Sequence, residues 1–528
     1  MTGRAPHPDM SWSLPSSLSA NVAARPQKVA IVSSARSVTF AQLDVRADRL
    51  ARGLLSEGVG EHDRVAFLDR NSIEYFEVLY GAGKLKAVAV AVNWRLSPAE
   101  MEFVINDARA TVLVVGEEFL PHLDKMAGHL STVRKVLVTG HHSQHEGYED
   151  WLARHSGEPV TTVTHPDDVA LQLYTSGTTG MPKGAMLTNT NLGAMVPHVA
   201  AGWHLDETST NLVAMPLFHI GGSGWALVGL NVGATTILLR EALPALVLDA
   251  IERDRVTNAF LVPALLNFML QVPGVETRDV SSLRNIVYGA SPITVDVLTR
   301  CIATFRCDFI QVYGLTETTG AILELPAADH DLDAPRAAEL LRSAGRPYPW
   351  VDLRVVDPAT GEDQPTGTVG ELWVRSVQVM RGYWDRDDDT AAAVVDGWFR
   401  TGDAGFVDGA GHVFITDRVK DMIVSGGENI YPIEVENALA GHPDLVDVAV
   451  IGVPDERWGE TVKAVVVRRP GSIISADEVI AFARSRIGGY KCPTSVDFTE
   501  ALPRNPSGKV LKRELREPYW RGLERRVH

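Results

Sequence analysis

The chain of 528 residues has a formal charge of -16, 45% hydrophobic and 7% aromatic content, and three cysteines. That length leaves room for about three or four domain-sized units, or for one large α/β unit that absorbs several. An acidic balance with no prominent basic stretch speaks against a nucleic-acid partner. Cys301, Cys307 and Cys492 fit neither a disulfide framework nor a metal-ligand spacing, so a reducing, cytoplasmic compartment is expected.

Residues 1–20 lack the apolar core of a secretory signal. From 27 to about 140, short apolar strands alternate with amphipathic helices. Thr39 followed by Gln42 reads as a capping box opening a helix to about Ser56. Ser97-Pro98-Ala99-Glu100 repeats that logic, with proline at the first helical position. Residues 86–92 form a continuous apolar run, as in a strand covered on both faces. His141-His142-Ser143-Gln144-His145 lies in a polar, acidic stretch and reads as solvated surface, not as a metal tract.

Residues 169–173 read as a buried strand and 184–187 as a second short one. Between them stands Tyr174-Thr175-Ser176-Gly177-Thr178-Thr179-Gly180-Met181-Pro182-Lys183-Gly184. Glycines let the backbone bend tightly and bring its N–H groups close to a ligand. Hydroxyls add donors, and Lys183 adds a point charge for phosphate. The turn therefore reads as a polyphosphate holder, although its spacing is not that of the helix-opening G-x-x-x-x-G-K-[ST] loop.

Further strands are expected at 212–214, 234–238, 258–261, 285–288 and 309–312, each followed by a helix, which implies a mostly parallel, layered sheet. Residues 221–239 are uncharged, but five glycines, Asn231 and Thr235-Thr236 make them a buried helix and strand, not a membrane span. Ligands on such sheets sit beyond the carboxyl ends of the strands. There lie Pro216-Leu217-Phe218-His219-Ile220-Gly221-Gly222, Tyr288-Gly289-Ala290-Ser291-Pro292 and Tyr313-Gly314-Leu315-Thr316-Glu317-Thr318. From 345 to 417 closely spaced strands (351–356, 371–375, 412–416) read as a small antiparallel unit, with the acidic run 385–389 as a solvated turn. After Lys420 a compact α+β pattern follows, with a helix after Tyr431-Pro432, strands at 446–453 and 461–468 and a helix at 476–486. Near the end comes a tight turn, Pro503-Arg504-Asn505-Pro506-Ser507-Gly508-Lys509.

Five of these stretches stand in the order seen in one superfamily: 174–184, 313–317, Gly397-Trp398-Phe399-Arg400-Thr401-Gly402-Asp403, Asp417-Arg418-Val419-Lys420-Asp421, and Pro506-Ser507-Gly508-Lys509. Over nearly its whole length the chain resembles the adenylate-forming superfamily of acyl-CoA synthetases, firefly luciferases and peptide-synthetase adenylation domains. The resemblance implies a large N-terminal adenylation domain (1–419) with layered, mostly parallel sheets and a small antiparallel β unit. It also implies a small mobile α+β C-terminal domain (420–528). It implies ATP, Mg²⁺ and coenzyme A, with a carboxylic acid activated as acyl-AMP and passed to a thiol. By resemblance Thr175, Ser176, Gly177, Thr178, Thr179, Gly180 and Lys183 hold the β- and γ-phosphates. Tyr313 and Gly314 meet the adenine, in a pocket lined by Gly289, Ala290 and Ser291. Thr316 contacts the α-phosphate and Glu317 holds Mg²⁺. Asp403, helped by Arg418, binds the ribose. Lys509 bridges carboxylate and α-phosphate, Lys420 is the hinge, and Ser425, Gly426 and Gly427 belong to the face where the pantetheine arm passes. Taken singly, Tyr313 reads rather as core and Glu317 as a helix N-terminal charge, and Asp403 could be an ordinary turn residue; it is their joint order that shifts the reading.

Specificity is expected in the pocket flanked by 218–224, Val262-Pro263, Gly289-Ala290 and Thr319-Gly320-Ala321. No aspartate in 218–222 pairs with a substrate ammonium, which disfavours amino acids, and no arginine there serves a dicarboxylate. Glycines and apolar groups suit an alkyl or aryl tail. His219 reads either as a catalytic gate to that pocket or as a core histidine, and Trp225 either as its end or as helix core. The resemblance points to medium- or long-chain fatty-acyl-CoA synthetases. The alternatives are an aryl-acid CoA ligase, a stand-alone enzyme loading an acyl carrier protein, a luciferase-like oxygenase and a binding protein with a dead site. A homodimer is open.

Overall fold

The protein is represented by a computed structural model that describes residues 11–140, 145–175, 181–358, 360–418, 421–425, 428–455, 457–504 and 510–521. Sequence-local signals set the helix starts. Thr39 accepts the Gln42 N–H while Gln42 accepts the Thr39 N–H at 2.9 Å, and the helix Phe40–Ser56 follows. Ser97 and Glu100 do the same for Pro98–Asp107. Such reciprocal caps satisfy N–H groups that a helix cannot satisfy itself.

Two large sheets carry the site, and their strand ends decide where it lies. Among the described residues the first has eight strands in the order Gly382–Tyr383, Lys183–Thr188, Val169–Thr175, Val88–Ala91, Arg64–Leu68, Ala110–Gly116, Lys135–Thr139, Glu146–Gly147. The strands from Val169–Thr175 outward are parallel, and the two at the other edge run antiparallel. The second sheet has nine: Arg346–Pro347, Gly320–Leu325, Asp308–Leu315, Asn285–Gly289, Asn258–Leu261, Thr210–Val213, Thr235–Leu238, Val29–Val32, Ser37–Thr39. Its central strands are parallel and its edges antiparallel. Parallel strands are covered on both faces and so read as apolar runs. Asn258–Leu261 and Arg64–Leu68 are buried throughout.

A third sheet joins Asp352–Val356, Gly370–Arg375, Trp398–Val407, Val394–Val395 and Val413–Arg418, all antiparallel. Towards the C-terminus, Glu428–Ile430, Ile423–Ser425, Gly459–Arg468, Leu445–Asp455 and Ser495–Thr499 form a fourth. The fourth sheet packs on helices Pro432–Ala440 and Ala476–Arg484 through a core of its own that includes Ile423, Val435, Val450, Val466 and Val479. The fold is thus a mixed α/β chain with layered, largely parallel sheets, a small antiparallel unit and an α+β C-terminal part.

Some expectations are corrected and others are borne out. The run expected at 309–312 is the longer strand Asp308–Leu315, and no α-helix follows it. A single turn, Thr316–Thr318, sends the chain back as the antiparallel strand Gly320–Leu325. Asp403 is not in a turn but inside the ten-residue strand Trp398–Val407. The acidic run 385–389 is a solvated turn only in part: Asp385 stands exposed in a turn, while Asp387, Asp388 and Asp389 open the helix Asp387–Ala393. Residues 221–239 resolve into helix Ile220–Asn231 and strand Thr235–Leu238, and no helix among the described residues is long and apolar enough to cross a membrane. All three cysteines are free, and burial pushes the thiols of Cys301 and Cys307 up to about 12. His141 to Gln144 lie outside the described residues.

Candidate active site

The two large sheets meet through the turn Thr316–Thr318. Glu317, at its centre, is 9% exposed, and its Oε1 accepts two hydroxyl hydrogens. One comes from Thr175 at 3.1 Å, the last residue of Val169–Thr175; the other comes from Tyr383 at 2.9 Å. The backbone repeats the tie, as Met380 N–H donates to the Glu317 carbonyl at 2.7 Å. Lys183 opens the next strand directly across the ladder from Thr175. Its ammonium pairs with Asp389 and lies 5.4 Å from the centre of the Tyr383 ring. Thr175, Lys183 and Glu317, expected to act together, are therefore gathered around Tyr383. The residues from Ser176 to Gly180 (Ser176, Gly177, Thr178, Thr179, Gly180) lie outside the described residues.

A second polar pair stands on the strand that leads into this turn. Tyr313 donates its hydroxyl to Asp403 at 2.6 Å, across 90 residues of sequence. Asp403 is 6% exposed, and its backbone pairs with Arg418 on the neighbouring strand. Gly314 is required here: a Cβ would sit 1.8 Å from the Gly320 carbonyl oxygen. Thr316 forms the first step of the turn, its carbonyl accepting the Thr319 N–H at 2.9 Å. One strand over, Asn285–Gly289 ends beside Val312, and a Cβ on Gly289 would meet the Val312 carbonyl oxygen at 2.2 Å. Ala290 follows with φ 66° and is exposed, while Ser291 is half-buried. Below them Tyr288 donates to His330 Nε2 at 2.9 Å, and His330 Nδ1 donates to the Pro326 carbonyl at 3.0 Å. Burial holds the His330 imidazole down at about 4.

The turn itself is held from outside. Thr319 has φ 56°, an uncommon conformation for a β-branched residue. Its hydroxyl donates to the Gln378 carbonyl at 2.6 Å. The Gln378 amide donates to the carbonyls of Thr318 and Ala321 at 3.2 and 2.9 Å, and its side-chain oxygen accepts the Trp350 indole N–H.

The apolar side is different in kind. Helix Ile220–Asn231 begins at His219, whose ring lies 4.5 Å from that of Phe218. Gly222 packs on the backbone, where a Cβ would be 2.2 Å from the Pro216 carbonyl oxygen. Gly224 and Gly320 both face Met195, whose methyl carbon and sulfur would be 3.5 and 3.1 Å from the respective Cβ positions. Trp225 is helix core: it is 4% exposed, and its indole donates to the Leu212 carbonyl at 2.9 Å. Asn71 fixes the approach to this helix, donating to the Met215 carbonyl at 3.0 Å and accepting the Leu217 N–H at 3.0 Å.

Of the remaining expected residues, Ser425 ends strand Ile423–Ser425 opposite Glu428 and Gly459. Lys420, Gly426, Gly427 and Lys509 lie outside the described residues. Two residues now at the centre, Tyr383 and Asp389, were not anticipated. The signal was slight: an aromatic after Gly382 in a polar stretch, with nothing to link it to Glu317, 66 residues away.

A hydroxyl, an ammonium and a carboxylate at the ends of adjoining strands suit an enzyme that handles phosphoryl groups, where positioning and charge do most of the work. The chain belongs to the AMP-binding enzymes. The family model described as AMP-binding enzyme matches residues 18–384, and that of the AMP-binding enzyme C-terminal domain matches 434–509. A fatty acid–[acyl-carrier-protein] ligase of Streptomyces coeruleorubidus is 39% identical over 510 residues, 95% of this chain and 96% of that protein. A feruloyl-CoA synthase of an Amycolatopsis species is 41% identical over 495 residues, 94% of this chain and 96% of its own length. The structure of ATP-bound MatB from Rhodopseudomonas palustris superposes with a TM-score of 0.86 at 31% identity, covering 94% of this chain and 96% of that one. Within the family the chain falls among the acyl- and aryl-CoA ligases, enzymes that join an acid to a thiol with formation of AMP.

Proposed function

We propose that the chain activates an apolar carboxylic acid with ATP as acyl-AMP and hands the acyl group to coenzyme A. The observation that carries this reading is the meeting of Thr175, Glu317 and Lys183 around Tyr383, one strand end away from the Tyr313–Asp403 pair. In it, the acid's carboxylate oxygen attacks the α-phosphorus, and the bond to the pyrophosphate bridging oxygen breaks. The thiol then attacks the acyl carbon, and AMP leaves.

Lys183 and the hydroxyls of the Gly/Thr turn hold the β- and γ-phosphates, which depart as pyrophosphate. Tyr313, Gly314 and the 289–291 stretch hold the adenine, Asp403 with Arg418 the ribose, and Thr316 the α-phosphate. Lys509 neutralises charge that gathers on the phosphoryl oxygens. Glu317 fits a hard cation: it is one carboxylate with both hydroxyl donors on a single oxygen, and no group of three or more His, Cys, Asp or Glu that could hold a metal ion is found among the described residues. Mg²⁺ prefers one or two carboxylates plus substrate oxygens, and when bound it supplies charge neutralisation on the phosphates. The lobe border at 419/420 with Lys420 as hinge falls between the two matched family regions, and Ser425, Gly426 and Gly427 face the thiol substrate in this reading.

The acid is apolar because the wall around Gly222, Gly224, Met195 and Phe218 offers shape and no charge. A medium- or long-chain fatty acid fits that wall, and so does an aryl acid such as the feruloyl relative's name implies. A carrier protein as acceptor is the second reading, favoured by the 39% identical ligase. ATP–pyrophosphate exchange over a panel of alkyl and aryl acids tests the first half-reaction. Thioester formation with coenzyme A against an acyl carrier protein then decides the acceptor. Exchange with none of the acids defeats the proposal.

A further inference from the structure

Asp389 is the residue that the assembled site leaves without a role. It lies in the first turn of helix Asp387–Ala393, yet it pairs with Lys183, 206 residues earlier in the chain. The contact is partly shielded, with the Lys183 side chain 13% exposed and that of Asp389 34%. It is also built. Strand Gly382–Tyr383 pairs with Lys183–Thr188, placing Tyr383 opposite Ala185. Tyr383 N–H then donates to Thr390 Oγ1 at 2.9 Å, and that hydroxyl donates to the Arg386 carbonyl at 2.9 Å. Gly382 admits this approach, since a Cβ there would lie 2.9 Å from Thr390 Cγ2. On the other side Arg386 pairs with Asp107 at 2.6 Å, the Trp384 indole donates to the Asp107 carbonyl at 2.9 Å, and Arg64 stacks 3.4 Å over that indole. The short side chain of Asp389 is therefore delivered to Lys183 by a braced segment, with little freedom to wander.

We propose that Asp389 is a resident counter-ion for Lys183 which the terminal phosphates of the nucleotide displace, so that it tunes affinity for ATP and leaves affinity for AMP alone. The inference rests on the reading that Lys183 meets the β- and γ-phosphates. A carboxylate held on that ammonium competes with them for the same donors, and once displaced it stays close as a like charge to the polyphosphate. AMP has no phosphate that reaches this far in the same reading, so it is indifferent to the pair. Replacing Asp389 removes the competitor and raises ATP affinity by roughly three- to tenfold, the range for a partly shielded ion pair.

The experiment is equilibrium titration of ATP and of AMP, each with magnesium, into wild type, Asp389→Asn, Asp389→Ala, Lys183→Ala and the Lys183→Ala/Asp389→Asn double variant. ATP should bind Asp389→Asn and Asp389→Ala more tightly, AMP should bind all five alike, and the gain should vanish in the Lys183→Ala background. AMP binding also reports an intact fold, and Asp389→Ala guards against an asparagine that still bonds the lysine. Equal or weaker ATP binding by both Asp389 variants, with Lys183→Ala weakened, overturns the proposal and makes Asp389 a support for the lysine. Unchanged ATP binding by Lys183→Ala points to the assignment of Lys183 itself, and the proposal falls with it.

Discussion

In the proposed function, the nucleotide side and the acyl side of this protein solve opposite problems with opposite materials. On the first, Thr175, Glu317, Tyr383, Tyr313 and Asp403 are polar and tied to one another across strands from three sheets. On the second, Gly224 and Gly320 face the Met195 side chain and Gly222 packs on the Pro216 carbonyl, contacts of shape alone. A site that stabilises charge needs donors held in place before the substrate arrives. A site that selects an apolar tail needs only a shape, and shape can be altered by one methyl group. On that reading the difference predicts where the chain tolerates change: the acyl wall should be easier to re-cut than the charged groups on the nucleotide side.

The largest expected effect tests the nucleotide side. Glu317→Gln keeps the shape and the hydroxyl contacts but removes the charge, and it should lower ATP–pyrophosphate exchange by about 10²–10³. Exchange within a few-fold of wild type would remove Glu317 from the chemistry.

The next effect concerns how that side is braced. The His330 imidazole is held down at about 4, first by burial, against 6.5 for a free histidine. A depressed folded value means the associated stability is complete above 6.5 and is lost as pH falls through 4. Wild type should lose up to about 3 kcal/mol over that window from this group. His330→Gln should lack that share, so the urea midpoints of the two proteins converge between pH 7 and 4.5. Parallel curves would show that His330 titrates alike folded and unfolded.

Two glycine changes then separate structure from selectivity on the acyl side. Gly222→Ala drives a methyl into the Pro216 carbonyl and should cost about 1–3 kcal/mol of stability whatever the substrate. Gly224→Ala meets only the Ile220 and Met195 side-chain ends, at 3.4 and 3.5 Å, and should fold normally. It should reduce kcat/KM for bulky acids by about tenfold relative to short ones, with the KM for ATP unmoved. An equal loss for all acids would place Gly224 outside the acyl pocket.

Much of this contrast was legible in the sequence, for physical reasons that differ by region. Strands such as Asn258–Leu261 are buried on both faces and show as apolar runs, and the caps at Thr39 and Ser97 are local, so both could be read directly. The strand Trp398–Val407 escaped because Arg400, Thr401, Gly402 and Asp403 interrupt any alternation, and its partners come from distant segments. The helix Asp387–Ala393 escaped because three consecutive aspartates look like solvated surface unless one knows that Lys183 lies opposite. Tyr383 carries only a slight local mark, an aromatic after Gly382 in a polar stretch. Its role depends on the two-residue strand Gly382–Tyr383 docking beside Lys183–Thr188, which is a fact of tertiary structure.

The backbone of Thr319 carries a last consequence. A threonine at φ 56° is a conformation worth about 1–3 kcal/mol of strain, maintained by the Thr319 hydroxyl donating to the Gln378 carbonyl and by the Gln378 amide donating to the flanking carbonyls, with Trp350 in turn holding Gln378. The bend between strands Asp308–Leu315 and Gly320–Leu325, the adenine and acyl sides in the proposed reading, is thus dictated by residues that come later in the chain. Anyone transplanting residues 313–325 into a relative to change its acid would have to carry Gln378 and Trp350 along, or the grafted corner would relax and misplace Glu317 with it.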